Sequence, residues 1–432
     1  MCVVSTLSHM AKRSVSTFDA GAAARWVYKP DELGNTRAMK TRIAIVATLG
    51  STQTLAWASS YYLPGVLAAH IAKDIGLSTP WIYAALSLGL GVSAVLGPTL
   101  GRMIDDRGGR PVLCGSNAAF ALGLGVLALA SGPISLIVAW LIMGAAMAAG
   151  LYEAVFASLT RLYGYDSRGA ITGIMLIAGF ASTVAWPVSA LLEHAFGWRG
   201  ACLTWAALHL LVALPLNAWA LRFGNAVAPP SPRPISGNRL SQPSLRSDRG
   251  MLLLGFILAA SGMVSSGMAT NLPRLFVVIG AAPAAAIAAA SMLGPAQVAA
   301  RLLEFSARHR INPLISARIA STLHPAATLI IAIGGAPLIA AFAILHGAGN
   351  GMLTICRATL PLTLYGPEGY GARIGRISAP ARVAQAMAPF LFGLSIEKIG
   401  SMTLLISSAL SIAALLALTS LSLPSTAPAE TT

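Results

Sequence analysis

Long apolar stretches alternate with short polar breaks from residue 42 to residue 422. Each stretch reaches the ~20 residues that a helix needs to cross a hydrocarbon layer about 30 Å thick. The breaks carry Gly, Pro and basic residues, which end helices or mark turns. Read this way, the first half of the chain predicts spans at 42–71, 80–101, 111–131, 134–162, 171–194 and 199–222. The second half predicts spans at 251–278, 282–304, 314–335, 337–364, 376–396 and 400–422. The expected architecture is all-α: a polytopic membrane protein of twelve transmembrane helices in two six-helix bundles, 42–222 and 251–422.

The stretch between the bundles, 223–250, holds Pro229, Pro230, Pro232, Pro234 and Pro243 among Ser and Arg, and cannot bury enough surface to fold alone. It reads as a linker, with tails at 1–41 and 423–432. Basic residues sort by loop. Arg102, Arg107 and Arg110, then Arg161 and Arg168, then the linker, then Arg301, Arg308 and Arg310, then Arg373 and Arg376 fall on one side. The other side has Lys73, Arg199, Arg274 and Lys398. Lys and Arg are retained on the cytoplasmic side during insertion, so linker and both tails are expected in the cytoplasm of a bacterial inner membrane. The first forty residues contain no sustained apolar run and do not resemble a secretory signal, and Met1, Met10 and Met39 are all candidate starts.

Composition narrows the function classes. Hydrophobic residues make up 56% of the 432 and charged residues 10%, more apolar surface than one soluble core hides. The net charge of +15 would suit a nucleic-acid partner only with clustered bases on a soluble face, which is not the pattern here, so no nucleic acid is expected and lipid is. Cys2, Cys114, Cys202 and Cys356 have no metal-ligand or redox spacing. No Gly-rich phosphate loop with Lys is present, and acidic residues are too scattered for an embedded enzyme, so neither cofactor, metal nor direct ATP use is expected.

The halves echo each other. Leu63-Pro64 is answered by Leu272-Pro273, Gly97-Pro98 by Gly294-Pro295, Leu162-Tyr163-Gly164 by Leu364-Tyr365-Gly366, and Pro187 with Glu193 by Pro389 with Glu397. Their common order fits a six-plus-six repeat about an axis along the membrane normal. After the second span the chain reads Gly101-Arg102-Met103-Ile104-Asp105-Asp106-Arg107-Gly108-Gly109-Arg110. This resembles the major facilitator superfamily signature G-x-x-x-D-R-x-G-R-[RK]: Gly101, Asp105, Gly108 and Arg110 match, Asp106 takes the usual Arg position, and Arg107 is shifted by one. The resemblance implies a gating latch in which the Asp meets a helix amino terminus in one state. As a plain positive-inside turn, the same residues would serve topology alone. Gly197-Trp198-Arg199 at the sixth span, with Tyr61 to Leu77 before the signature loop, resembles the branch of monocarboxylate and oxalate/formate porters. That branch often carries a basic residue in mid eighth span; here the eighth span is apolar until Arg301 at its cytosolic end, and the eleventh has only Arg382.

Ionisable groups inside a membrane usually face a bundle interior or an aqueous cavity. Glu153 in the fourth span and Arg357 in the tenth stand about eight residues before the cytosolic helix end, roughly 12 Å in. In the superfamily the first, fourth, seventh and tenth spans line the central cavity. The expected roles are an anion site at Arg357, with Glu153 carrying a proton or pairing with it; the plainer reading is a permanent ion pair holding the halves in register. Tyr61, Tyr62, Tyr152, Asn271 and Asn350, with Gln53, Trp57, Ser265 and Thr270, could line the cavity or only pack. His209, His324 and His346 read as packing residues. The function expected is secondary active transport of a small organic solute by a monomer, by uptake or efflux, possible coupling being to protons and the possible substrate an organic anion. The alternative of another class is a transporter-like sensor.

Overall fold

The computed structural model describes residues 36–164, 167–222, 248–307, 312–365 and 370–421. Residues 1–35 of the expected amino-terminal tail, the tail 423–432, most of the linker and the loop residues Arg308, Arg310 and Glu368 lie outside the described residues, and residues 36–41 of the expected tail belong to the first helix. Among the described residues every regular element is helical: α1 Thr36–Ser59, α2 Pro64–Asp74, α3 Thr79–Arg107, α4 Gly109–Ala128, α5 Pro133–Gly150, α6 Tyr152–Tyr163, α7 Ser167–Ile177, α8 Ala181–Leu208 and α9 Leu214–Ala220 in the first half. The second half holds α10 Asp248–Val278, α11 Pro283–Ser291, α12 Leu293–Ala307, α13 Pro313–Gly334, α14 Ile339–Tyr365, α15 Tyr370–Ile399 and α16 Thr403–Thr419. Helix is what lipid demands, because no water is present to satisfy a spanning backbone.

Nine described stretches are long and apolar enough to cross a membrane. The stretch 169–220 is 52 residues, about 78 Å as a straight helix and more than two layers' worth, and it turns at Gly197, whose φ of 67° is left-handed. The 40-residue stretch 380–419 turns likewise at Gly400, with a φ of 58°. Leu129, Ile134 and Ile333 stand 80%, 79% and 79% exposed, an outward apolar surface that only lipid would favour. The chain is an integral membrane protein.

Two spans differ from the continuous helices expected. The first is cut between Ser59 and Pro64, because Pro64 has no N–H to continue the ladder and sits at the first turn of α2. The fourth is cut at Leu151, which takes an extended conformation (φ −87°, ψ −171°) between α5 and α6. Gln53 Nε2 donates to Gly150 O at 2.6 Å, bracing α1 against the second cut.

Close packing within each half uses backbone approach. A Cβ at Gly144 would lie 2.4 Å from Gly89 O, joining α5 to α3; one at Gly351 would lie 2.5 Å from Gln297 O, joining α14 to α12. These are the same pairing in the two halves. The buried histidines are partnered as packing residues are: His209 meets Ser59 Oγ at 2.7 Å and Asn117 Oδ1 at 2.9 Å, and His324 meets His346 Nδ1 at 2.9 Å and Ser407 Oγ at 2.9 Å.

Arg42 over Tyr163, and Arg318 bonded to Leu418 O and Leu421 O, mark the end of the bundle where the described chain begins and finishes. At the far end Asp74, Trp198, Arg199 and Ala130 gather. Contacts between the halves include several in the far part of the bundle. Phe390 N donates to Ser87 Oγ at 3.2 Å, Trp81 meets Phe390, and a Cβ at Gly393 would strike Tyr83.

Candidate functional site

The cut in the first span sets the aromatic residues. Trp57, two residues before the end of α1, accepts Tyr62 N at its carbonyl across the break that carries Tyr61 and Tyr62. Ring centroids lie 5.1 Å apart for Trp57–Tyr61, 5.5 Å for Tyr61–Tyr62 and 5.5 Å for Tyr62–Trp186, with interplanar angles of 76°, 83° and 88°. Tyr152, at the start of α6, comes within 5.0 Å of Trp57 and stacks on Phe156 at 5.2 Å. The two cut helices therefore build one aromatic wall, and Trp57, Tyr61, Tyr62 and Tyr152 all remain partly exposed.

Tyr61 also ties the halves. Its hydroxyl donates to Ser266 Oγ at 2.8 Å, and Ser266 donates to Gln385 O at 2.8 Å, so α10 and α15 hang from α1's end through two hydroxyls.

Two guanidinium groups meet this wall. Arg357 on α14 lies within electrostatic reach of Tyr61 and Arg301, and its buried Nε and Nη2 have no hydrogen-bond partner among the described residues. Arg301 on α12 acts on Tyr62 and Tyr152. It donates from Nη1 to Met175 O at 3.2 Å and from Nη2 to Gln297 Oε1 at 3.3 Å, while its buried Nε has no partner among the described residues. Arg301 stands near the end of the apolar span Pro283–Glu304, close to the expected 282–304. The helix runs on to Ala307, so Arg301 lies inside it and bonds across to the other half. The Gln297-x-x-x-Arg301 spacing, one turn on one face, was the readable signal.

Glu153 lies in the first turn of α6, exposed, with its Oε2 3.4 Å from where a Cβ on Gly97 would stand. Among the described residues no ion pair joins it to Arg357; the pairs present are His70–Glu193, Arg199–Asp74 and Arg274–Glu397. At the far end Arg199, bonded to Asp74 with Trp198 Nε1 at 3.2 Å, holds that carboxyl below the ordinary carboxylate range.

Asn271 donates to Gly267 O at 3.1 Å, Thr270 Oγ1 at 3.0 Å and Pro389 O at 3.4 Å, and its Oδ1 has no partner among the described residues. It thus ties α10 to α15 at Pro389, whose missing N–H leaves free Gln385 O, the carbonyl that accepts from Ser266. Asn350 is separate from the aromatic wall in its surroundings, lining a cavity of about 20 Å³ with Ser261, Ser265, His324 and His346.

In the signature loop Gly108 ends α3 with φ 85°, and Gly109 is buried against Ser158. Ile104 O accepts from Gly108 N at 2.9 Å and from Arg161 Nη1 at 3.1 Å. Gly101 is half-buried, and Asp105 and Arg110 are exposed. The loop is braced by α6 while its Asp stands in the open. Among the described residues no group of three or more His, Cys, Asp or Glu could hold a metal.

Comparison with known proteins agrees with this architecture. A curated relative, an uncharacterized 38 kDa protein in the 23S RNA operon of Thermoproteus tenax, is 28% identical over 334 residues, covering 77% of this chain and 83% of that one. The crystal structure of a bacterial homologue of the human lysosomal transporter Spinster, in an inward-facing and occupied conformation, superposes with a TM-score of 0.61. It is 16% identical, with 88% of this chain and 94% of that chain covered, a likeness of fold. The sequence profile described as Major Facilitator Superfamily matches residues 49–323, well over half of the chain. The chain belongs to the major facilitator superfamily, whose members carry small molecules across membranes.

Proposed function

We propose that this protein is a secondary transporter of a small organic anion, working by alternating access between two six-helix halves. Twelve crossings, with linker and both tails in the cytoplasm of a bacterial inner membrane, fit the basic loops and the turns at Gly197 and Gly400. The observation that carries the anion reading is Arg357: a guanidinium with two buried N–H donors that have no partner among the described residues, within electrostatic reach of Tyr61. A buried donor without an acceptor is costly, and an arriving carboxylate supplies acceptor and charge together. Arg301, reaching the same wall from the eighth span, adds to the likeness with monocarboxylate and oxalate/formate porters.

Glu153, exposed in the first turn of α6, is the proposed proton-carrying group, meeting Arg357 in another conformational state. The reading is tested with purified protein in liposomes, a panel of labelled carboxylates and an imposed proton gradient. Arg357→Gln is expected to lower uptake at least tenfold while Arg357→Lys retains part of it. Full uptake by Arg357→Gln rules the anion site out. Glu153→Gln is expected to flatten the pH dependence; an unchanged pH profile removes Glu153 from coupling.

A further inference from the structure

We infer that the second half carries a built site for one water molecule, held between His346, Asn350 and Ser265, and that the histidine pair beside it is a neutral clamp. The site is independent of the anion reading of Arg357. The buried histidines are not equally satisfied. Both ring nitrogens of His209 are bonded, to Ser59 Oγ and Asn117 Oδ1, and both of His324 are bonded, to His346 Nδ1 and Ser407 Oγ. His346 is bonded at Nδ1, while its buried Nε2 has no partner among the described residues.

Hydrogen counting gives that nitrogen its character. Ser407 Oγ donates its single hydrogen to Leu404 O at 3.0 Å, so toward His324 Nε2 it accepts. A neutral His324 then has a bare Nδ1, which accepts from His346 Nδ1–H at 2.9 Å. These tautomers are assigned from the network. His346 is left with a bare Nε2, an acceptor in want of a donor. A proton bound there would make an imidazolium, and the residues lining the cavity include no carboxylate to pair with it. The donor called for is neutral.

The cavity that His346 lines is about 20 Å³, which holds one water, since one needs about 10–15 Å³ of such space. Ser265 and Asn350, both half-buried, line it too, and neither side chain makes a hydrogen bond among the described residues. The other serines there are spent on their own helices: Ser261 donates to Ile257 O, Ser321 to Ala317 O and Ser411 to Ser407 O. One water can donate to His346 Nε2 and to Asn350 Oδ1 while accepting from Ser265 Oγ, three bonds being the usual number for a buried water. The first half has the dry counterpart. There His209, in the sixth span, reaches the first span at Ser59 and the third at Asn117 directly. In the second half the bonded chain runs from His346 through His324 on the ninth span to Ser407 on the twelfth, and the seventh span meets it across the cavity at Ser265. The water closes that gap, tying α10, α13, α14 and α16 into one satisfied network that rigidifies this half and takes both histidines out of proton coupling.

The test uses the full chain with isotope-labelled histidine in lipid bilayers at neutral pH. Solid-state NMR reads transfer from water to the imidazole nitrogens, and a high-resolution cryo-EM map of the same protein shows the cavity. His346 is expected to have an unprotonated Nε2 in contact with water, His209 to have no such contact, and the map to show one density within hydrogen-bond distance of His346 Nε2. Asn350→Leu, which fills the cavity, should lose the water contact and keep the bond between the two histidines; should that variant not fold, the parent spectra and map decide alone. An imidazolium at His346, an empty cavity in the map, or a water contact that survives Asn350→Leu overturns the inference.

Discussion

Replacing Arg357 by Met is expected to stabilise the protein while abolishing transport. The unbranched thioether keeps the length and packing of the Arg stem and removes only the guanidinium. Two of that group's donors, Nε and Nη2, are buried without partners among the described residues, and a second guanidinium, Arg301, acts on it from α12. An Arg held at the centre of a spanning helix costs about 2.5–3.5 kcal/mol on insertion scales. Because the side chain is partly exposed, the lower part of that range applies, and the variant should gain about 2 kcal/mol. For a chain of this size that is a rise in melting temperature of roughly 2–4 °C. The assay is thermal unfolding followed by intrinsic fluorescence in detergent without added ligand, paired with uptake in liposomes. A fall in melting temperature of similar size would refute the reasoning, since it would mean that the guanidinium holds α14 to its neighbours and its free donors serve no guest.

Other consequences are open to measurement. Tyr61→Phe deletes the bond to Ser266 and should cost about 1 kcal/mol, seen as a lowered melting temperature, with several-fold slower transport; an unchanged variant would show that the tie is dispensable. Gly351→Ala forces a Cβ to 2.5 Å from Gln297 O, and a loss of about 1–3 kcal/mol is expected from thermal scanning, whereas Gly101→Ala meets nothing within 4 Å and should be tolerated. Asp74 has a folded pKa below its unfolded value, so its contribution is present above the unfolded carboxylate range and fades as pH falls through the folded value. Melting curves taken between pH 6 and about pH 3 should therefore show an acid loss in the parent that is smaller in Asp74→Asn; identical slopes would remove the Arg199 bond as its source.

Much of the architecture is legible because lipid imposes it: an apolar run of bilayer length has helix as its open choice, and Gly and Pro mark where it ends. Arg357 was legible for the same reason, since a lone cation deep in such a run needs a purpose. The partner of Arg301 was not, because the sequence placed it near the end of its span and could not show that it bonds across to Met175 O of the other half. The cuts at Ser60 and Leu151 were also missed. Pro64 hinted at the first, but Leu151 has no special backbone chemistry, and only its setting beside Gly150 and Gln53 accounts for its extended form. Nor could the helical register alone say that Glu153 would stand against Gly97 and away from Arg357, since that depends on the rotation of one helix against another.

The Tyr61–Ser266–Gln385 tie has a consequence for how the protein would switch. It links the halves by a neutral hydroxyl pair, so opening there would break one ordinary bond, Tyr61 to Ser266, and separate no charges. Ions in solution weaken charge pairs and leave hydroxyl pairs almost untouched. The rate of rocking at this hinge should thus be nearly the same in dilute and concentrated salt, even where the capture of a charged guest is not.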